Sequence, residues 1–120
     1  MAYLKEYQTG RMLLTIDGDY IKEYQSGRYR YKINGDKVCD YQTGRFLFDI
    51  GGGYVKDYCT GRYLLNISGS QVKNYQTGTI IASYDSSQIK DYRTGRIVYK
   101  IDGFLSGREM AALLTILFAV

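Results

Sequence analysis

The stretch Asp40-Tyr41-Gln42-Thr43-Gly44-Arg45 recurs along the chain. EYQTGR occupies Glu6–Arg11, EYQSGR Glu23–Arg28, DYCTGR Asp57–Arg62, NYQTGT Asn74–Thr79 and DYRTGR Asp91–Arg96. The copies stand 17 residues apart, and six units follow one another without a gap from Tyr3 to Phe104. A fixed period of this kind marks a repeat architecture, in which each unit is one supersecondary element.

Each unit holds two turn signals. Gln-Thr-Gly ends in Gly10, Gly27, Gly44, Gly61, Gly78 and Gly95. A three-residue hairpin loop needs a left-handed residue at that place. Asp17-Gly18, Asn34-Gly35, Gly51-Gly52, Ser68-Gly69 and Asp102-Gly103 suit two-residue type I′ turns. Unit five has Asp85-Ser86 there and is expected to have the poorest turn. The units read as β-hairpins and the chain as a meander of twelve short strands. In the expected register Tyr7 pairs with Arg11, Lys5 with Leu13 and Leu4 with Leu14. Leu14 then faces Ile21 across the next turn, so the levels stack as rings with little stagger.

Strand alternation sorts the faces. One face carries Leu4, Ile21, Val38, Val55, Val72 and Ile89, and with them Leu14, Tyr31, Phe48, Leu65, Ala82 and Tyr99. The same face is expected to carry Met12, Tyr29, Phe46, Tyr63, Ile80 and Ile97, and Ile16, Ile33, Ile50, Ile67, Tyr84 and Ile101. Leu13, Leu47, Leu64, Ile81 and Val98 are expected outside, with Arg30 breaking their row; an exposed apolar belt of that kind means a partner or self-association.

A single apolar face needs a cover. Ser106 and Glu109 have capping-box spacing, and beyond them Met110–Val120 is apolar on every side except at Thr115. A helix apolar all round is buried all round. Twelve strands spaced by about 4.8 Å close a ring of roughly 9 Å radius if untilted. Such a ring has room for one helix packed at roughly 8–10 Å. The expected fold is all-β with one C-terminal helix: a twelve-stranded antiparallel meander barrel of six 17-residue hairpins around a hydrophobic helix. Residues 1–120 form one domain, with 3–104 the repeats and 105–120 the helix. The alternative is an open or prism-like sheet with the helix in an oligomer interface. Glu6, Glu23, Asp40, Asp57 and Asp91 point inward where the helix ends, unfavourably for its dipole, unless they turn outward at a bulge or bond the turn amides and threonine hydroxyls.

Strand count and tail together make this plan resemble the tubby-like superfamily, including the plant LURP-one-related and phospholipid-scramblase barrels. The resemblance implies phosphoinositide binding or action at membranes. It rests on architecture; no motif residue is matched, and no lipid site is carried over.

The functional reading is of a non-catalytic binding or interaction module, self-associating through its outer face in one version. Its candidate surface joins Tyr7, Tyr24, Tyr41, Tyr58 and Tyr92 to Arg11, Arg28, Arg45, Arg62 and Arg96. The bland explanation of this surface is cross-strand pairing with cation–π contacts. Interleaved aromatics and cations also hold anionic lipid or nucleic acid, and the latter is the less favoured because no known module is present. The net charge of +4 is compatible with either partner. No cofactor, metal or catalytic group is expected: the chain has no histidine, and the inward carboxylates read as turn caps rather than a cation site. The cysteines Cys39 and Cys59 sit at different repeat positions, so free thiols and a cytoplasmic setting are expected, with Cys59 exposed. The tail is too short to cross a bilayer as a helix, and no signal peptide is read.

Overall fold

The computed structural model describes residues 1–119. Twelve strands follow in order: β1 (Ala2–Glu6), β2 (Met12–Asp17), β3 (Tyr20–Glu23), β4 (Tyr29–Asn34), β5 (Lys37–Asp40), β6 (Phe46–Asp49), β7 (Tyr54–Asp57), β8 (Tyr63–Ser68), β9 (Gln71–Asn74), β10 (Ile80–Tyr84), β11 (Gln88–Asp91) and β12 (Ile97–Gly103). Each pairs antiparallel with its chain neighbours, and β1 pairs with β12, so the meander closes into a barrel without an edge. The open-sheet alternative is thereby excluded. Helix α1 (Gly107–Phe118) follows. Ser106 and Glu109 form the capping box that their spacing announces.

Ala112, Leu113, Leu114 and Thr115 are all fully buried. Four consecutive residues sweep almost a whole helical turn, so the helix meets protein on every side. It shares one cluster with Leu4, Ile21, Val38, Val55, Val72 and Ile89, the innermost ring of the barrel. The Thr115 hydroxyl donates to the Ala111 carbonyl at 2.7 Å, which satisfies the one polar side chain in the plug.

The Gln-Thr-Gly loop is one residue longer than expected. The Glu6 amide donates to the Arg11 carbonyl, and the Gly10 amide donates to the Glu6 carbonyl. The loop is therefore Tyr7-Gln8-Thr9-Gly10, and Tyr7 does not pair with Arg11. Lys5 faces Met12 while Leu4 still faces Leu14. The spare residue, Leu13, is taken up in a β-bulge. The same shift occurs in all six units, at Arg30, Leu47, Leu64, Ile81 and Val98 in the others.

The bulges redistribute the faces. Met12, Tyr29, Phe46, Tyr63, Ile80 and Ile97 pair with the outward lysine position, and so lie outside rather than inside. Tyr29 and Tyr63 are 37% and 39% exposed. Conversely Leu13, Leu64 and Ile81, expected outside, pack against the core.

The second turn also differs. Asp17 pairs with Tyr20, leaving Gly18-Asp19 as the loop. Gly18 and Gly35 have positive φ but the following aspartates do not, which fits type II′ rather than I′, whereas Gly69 and Ser70, both with positive φ, keep type I′, and Gly51–Gly53 form a 3-10 turn in place of the expected one. Ile16, not Leu14, therefore faces Ile21, and Leu14 faces Glu23. Each unit advances the register by two residues, and Ile101 opposite Leu4 continues the advance across the closure. Six advances make a shear of about twelve over twelve strands, and equal shear and strand number correspond to a tilt of about 36°. The expected unstaggered rings are replaced by a tilted barrel of roughly 11 Å radius. The molecule is a squat disc, 37 × 33 × 20 Å. Unit five's turn is well bonded despite lacking glycine. The Asp85 carboxylate accepts from the Ser87 and Gln88 amides at 2.8 and 2.9 Å, an Asx-type substitute for glycine.

Candidate binding surface at the Gln-Thr-Gly end

The repeat tyrosines are placed by backbone. The Tyr24 amide donates to the carbonyl of bulge residue Leu13, Tyr41 to Arg30, Tyr58 to Leu47, Tyr75 to Leu64 and Tyr92 to Ile81. Tyr7 donates to Val98 and closes the circle between the first and last units. Each loop is thus hung on the bulge of its neighbour, and six tyrosines occupy one level with 44–49% of their surface exposed.

Packing is aromatic more than cationic at this level. Tyr41 meets Tyr29 edge to face at 4.9 Å, Tyr58 meets Phe46 at 5.1 Å and Tyr75 meets Tyr63 at 4.8 Å. Such pairs contribute about 0.5–1.5 kcal/mol each beyond their burial. Tyr20 and Tyr54 extend two of these ladders by stacking on Tyr29 and Tyr63. The cations seat over other rings than those expected: Lys22 over Tyr29, Lys56 over Tyr63 and Lys32 over Tyr20. Sequence reasoning missed Tyr29, Phe46 and Tyr63 as surface residues. Their alternation with lysine was visible, but the bulge that turns them outward was not.

Arg11, Arg28, Arg45, Arg62 and Arg96 are exposed just past the glycines. Their amides are held by the threonine or serine hydroxyl two residues earlier, at 3.1–3.2 Å. The same hydroxyls face the half-buried acids: Thr9 donates to Glu6 at 2.7 Å, Ser26 to Glu23 at 2.7 Å and Thr43 to Asp40 at 3.0 Å. Asp57 and Asp91 accept from the Cys59 and Arg93 amides. The carboxylates beside the helix end are therefore turn caps, and the hydrogen bonds offset their repulsion from the helix dipole. The Ser26 hydroxyl, and after it Arg30, holds the Glu23 carboxyl below its ordinary range.

Shallow notches of about 260–290 Å³ separate neighbouring turns. One lies between Arg96 and Glu6-Gln8, another between Arg11 and Glu23-Gln25, a third between Arg28-Arg30 and Asp40-Gln42. Charge is segregated along the barrel axis. The Gln-Thr-Gly end carries seven arginines against five acids, and seven lysines line the wall. The Asp-Gly end carries seven acids against Lys37 and Arg108. Both cysteines are free, Cys59 exposed and Cys39 buried, with burial raising the Cys39 thiol above its ordinary value. Among the described residues no helix is long and apolar enough to cross a membrane.

No protein family, curated protein or solved structure matches this chain.

Proposed function

We propose that this chain is a non-catalytic binding module, and that its Gln-Thr-Gly end docks on an anionic membrane surface. The observation that carries the reading is the single level of six exposed tyrosines, placed with the arginines at the opposite end from most of the acids. Tyrosine rings settle at the headgroup level, and each nearby basic residue adds attraction to anionic lipid. The acidic Asp-Gly end orients the disc by pointing away from the surface. The resemblance of a twelve-stranded barrel around a C-terminal helix to the tubby-like plan supports this reading. Nucleic acid is disfavoured because Tyr41, Tyr58 and Tyr75 are braced edge to face by their neighbours, which restricts the ring faces a base would stack on. The reading as a binding module is supported by acids that are bonded within their own turns and by notches between the turns that are shallow.

Co-sedimentation tests the reading. The full chain is mixed with phosphatidylcholine vesicles, with and without 30 mol% phosphatidylserine, at low and high salt. The expected result is pelleting only with the anionic vesicles at low salt, reduced at least tenfold by Arg11→Glu with Arg28→Glu. No pelleting with anionic vesicles at low salt overturns it.

A further inference from the structure

Phe104 is 81% exposed, the most exposed large apolar side chain among the described residues. It follows Gly103 at the Asp-Gly end of β12. At the opposite end, beside the last turn of α1, a mainly apolar recess of about 180 Å³ is lined by Ile81, Ile89, Val98, Tyr99 and Phe118, with Lys90 and Asp91 also on its wall. A protruding aromatic on one face and an apolar recess on the other cannot meet within one molecule.

We propose that a second copy of this chain docks head to tail, with the Asp-Gly end of one disc seated on the Gln-Thr-Gly end of the next and Phe104 entering the recess. Three further observations fit. The charges are complementary: an end dominated by acids meets an end where arginines outnumber acids. The spacings match: six hairpin turns ring the Gln-Thr-Gly end, while five turns and the β12–α1 connection that carries Phe104 ring the Asp-Gly end, one feature per unit at each. Asp19, Asp36 and Asp102 are exposed at the Asp-Gly end, and Arg11, Arg28 and Arg96 line the notches at the other. The size is compatible: the two longer extents, 37 and 33 Å, outline roughly 950 Å², and a standard interface buries about 800 Å² per partner. Contact between unlike faces leaves both outer faces of a pair unoccupied, so the association does not close at a dimer and grows into columns. The membrane reading is not required for this one, although both use the Gln-Thr-Gly end.

Sedimentation velocity of the full chain from 1 to 200 μM at low salt, without lipid, decides the matter. The expected weight-average mass rises with concentration past that of a dimer and falls in 0.5 M salt. Phe104→Ser should melt like the parent, because the side chain is solvent-exposed, yet need at least tenfold more protein to associate. That variant keeps its Gln-Thr-Gly end, so adding it in excess should cap the parent's columns and shorten them. A monomer throughout the range, a mass that stops at the dimer, or an association curve unmoved by Phe104→Ser overturns the proposal. Vesicle binding by a strictly monomeric chain would sink the column and leave the membrane reading standing.

Discussion

Leu113→Ala tests whether the helix is the core of the barrel. Leu113 is fully buried in α1 and belongs to the same cluster as the inward ring of strands. The substitution replaces a buried isobutyl group by methyl and leaves a hole that closed strands cannot collapse to fill. Comparable core truncations cost about 2.7–5 kcal/mol, and the rigidity of the ring argues for at least about 3 kcal/mol here. With an m value of roughly 2 kcal/mol/M, the urea midpoint should fall by about 1.5 M with m unchanged. Ile97→Ala is the internal control. By simple alternation Ile97 belongs to the core, but the bulge at Val98 puts it outside and half-buried. Its truncation should cost about 1 kcal/mol or less. Urea unfolding followed by far-UV circular dichroism and by tyrosine fluorescence gives both numbers. A cost below 1 kcal/mol for Leu113→Ala would refute the plugged barrel. An equal cost for both variants would refute the bulged register.

Gly103→Ala should destabilise by about 2–4 kcal/mol in the same assay. The new Cβ would meet the Met1 carbonyl at 2.6 Å where β12 closes on β1, and φ is +104°. Ser70→Gly should raise stability by about 1 kcal/mol in thermal melts, since among the described residues Ser70 is the one non-glycine with a positive φ, of 68°. Acid titration followed by circular dichroism should show stability lost below about pH 4. Hydrogen bonds from Lys5 to Asp102, from Lys37 to Asp36 and from Ser87 to Asp85 hold those carboxyls below their ordinary values. The unfolded chain then binds more protons, so stability present above the ordinary carboxyl range is lost as pH falls through the folded values. Lys37 moves the other way, raised chiefly by Asp36, and its contribution is lost only above its ordinary pKa. A flat profile down to pH 2.5 would contradict this. An aromatic disulfide reagent should titrate one thiol, Cys59, in the native chain and two in denaturant, because Cys39 is buried and its thiol pKa is raised.

The period, the turn residues and the capping box are local features, and they were legible because each is written into consecutive residues. Gly10 and its five counterparts require a left-handed turn wherever they stand, and Ser106 with Glu109 caps a helix in any context. The run from Met110 onward has no polar face, so its burial followed from hydropathy, while its place inside a barrel rested on strand count and ring width as well. The ring Leu4, Ile21, Val38, Val55, Val72 and Ile89 was correctly placed for the same reason. What the turns could not specify was their length. Gln-Thr-Gly is compatible with a three-residue or a four-residue loop, and Asp-Gly-Asp with a turn centred on either pair. The barrel decides between them. Twelve strands must tilt to close around a helix, the tilt requires a stagger of two residues per unit, and the shifted turns with the bulges at Leu13 and its counterparts supply it. The candidate surface inherits this division. The exposed tyrosines and arginines stand in the sequence, but the outward Tyr29, Phe46 and Tyr63 and the capped inward acids exist only because tertiary closure set the register.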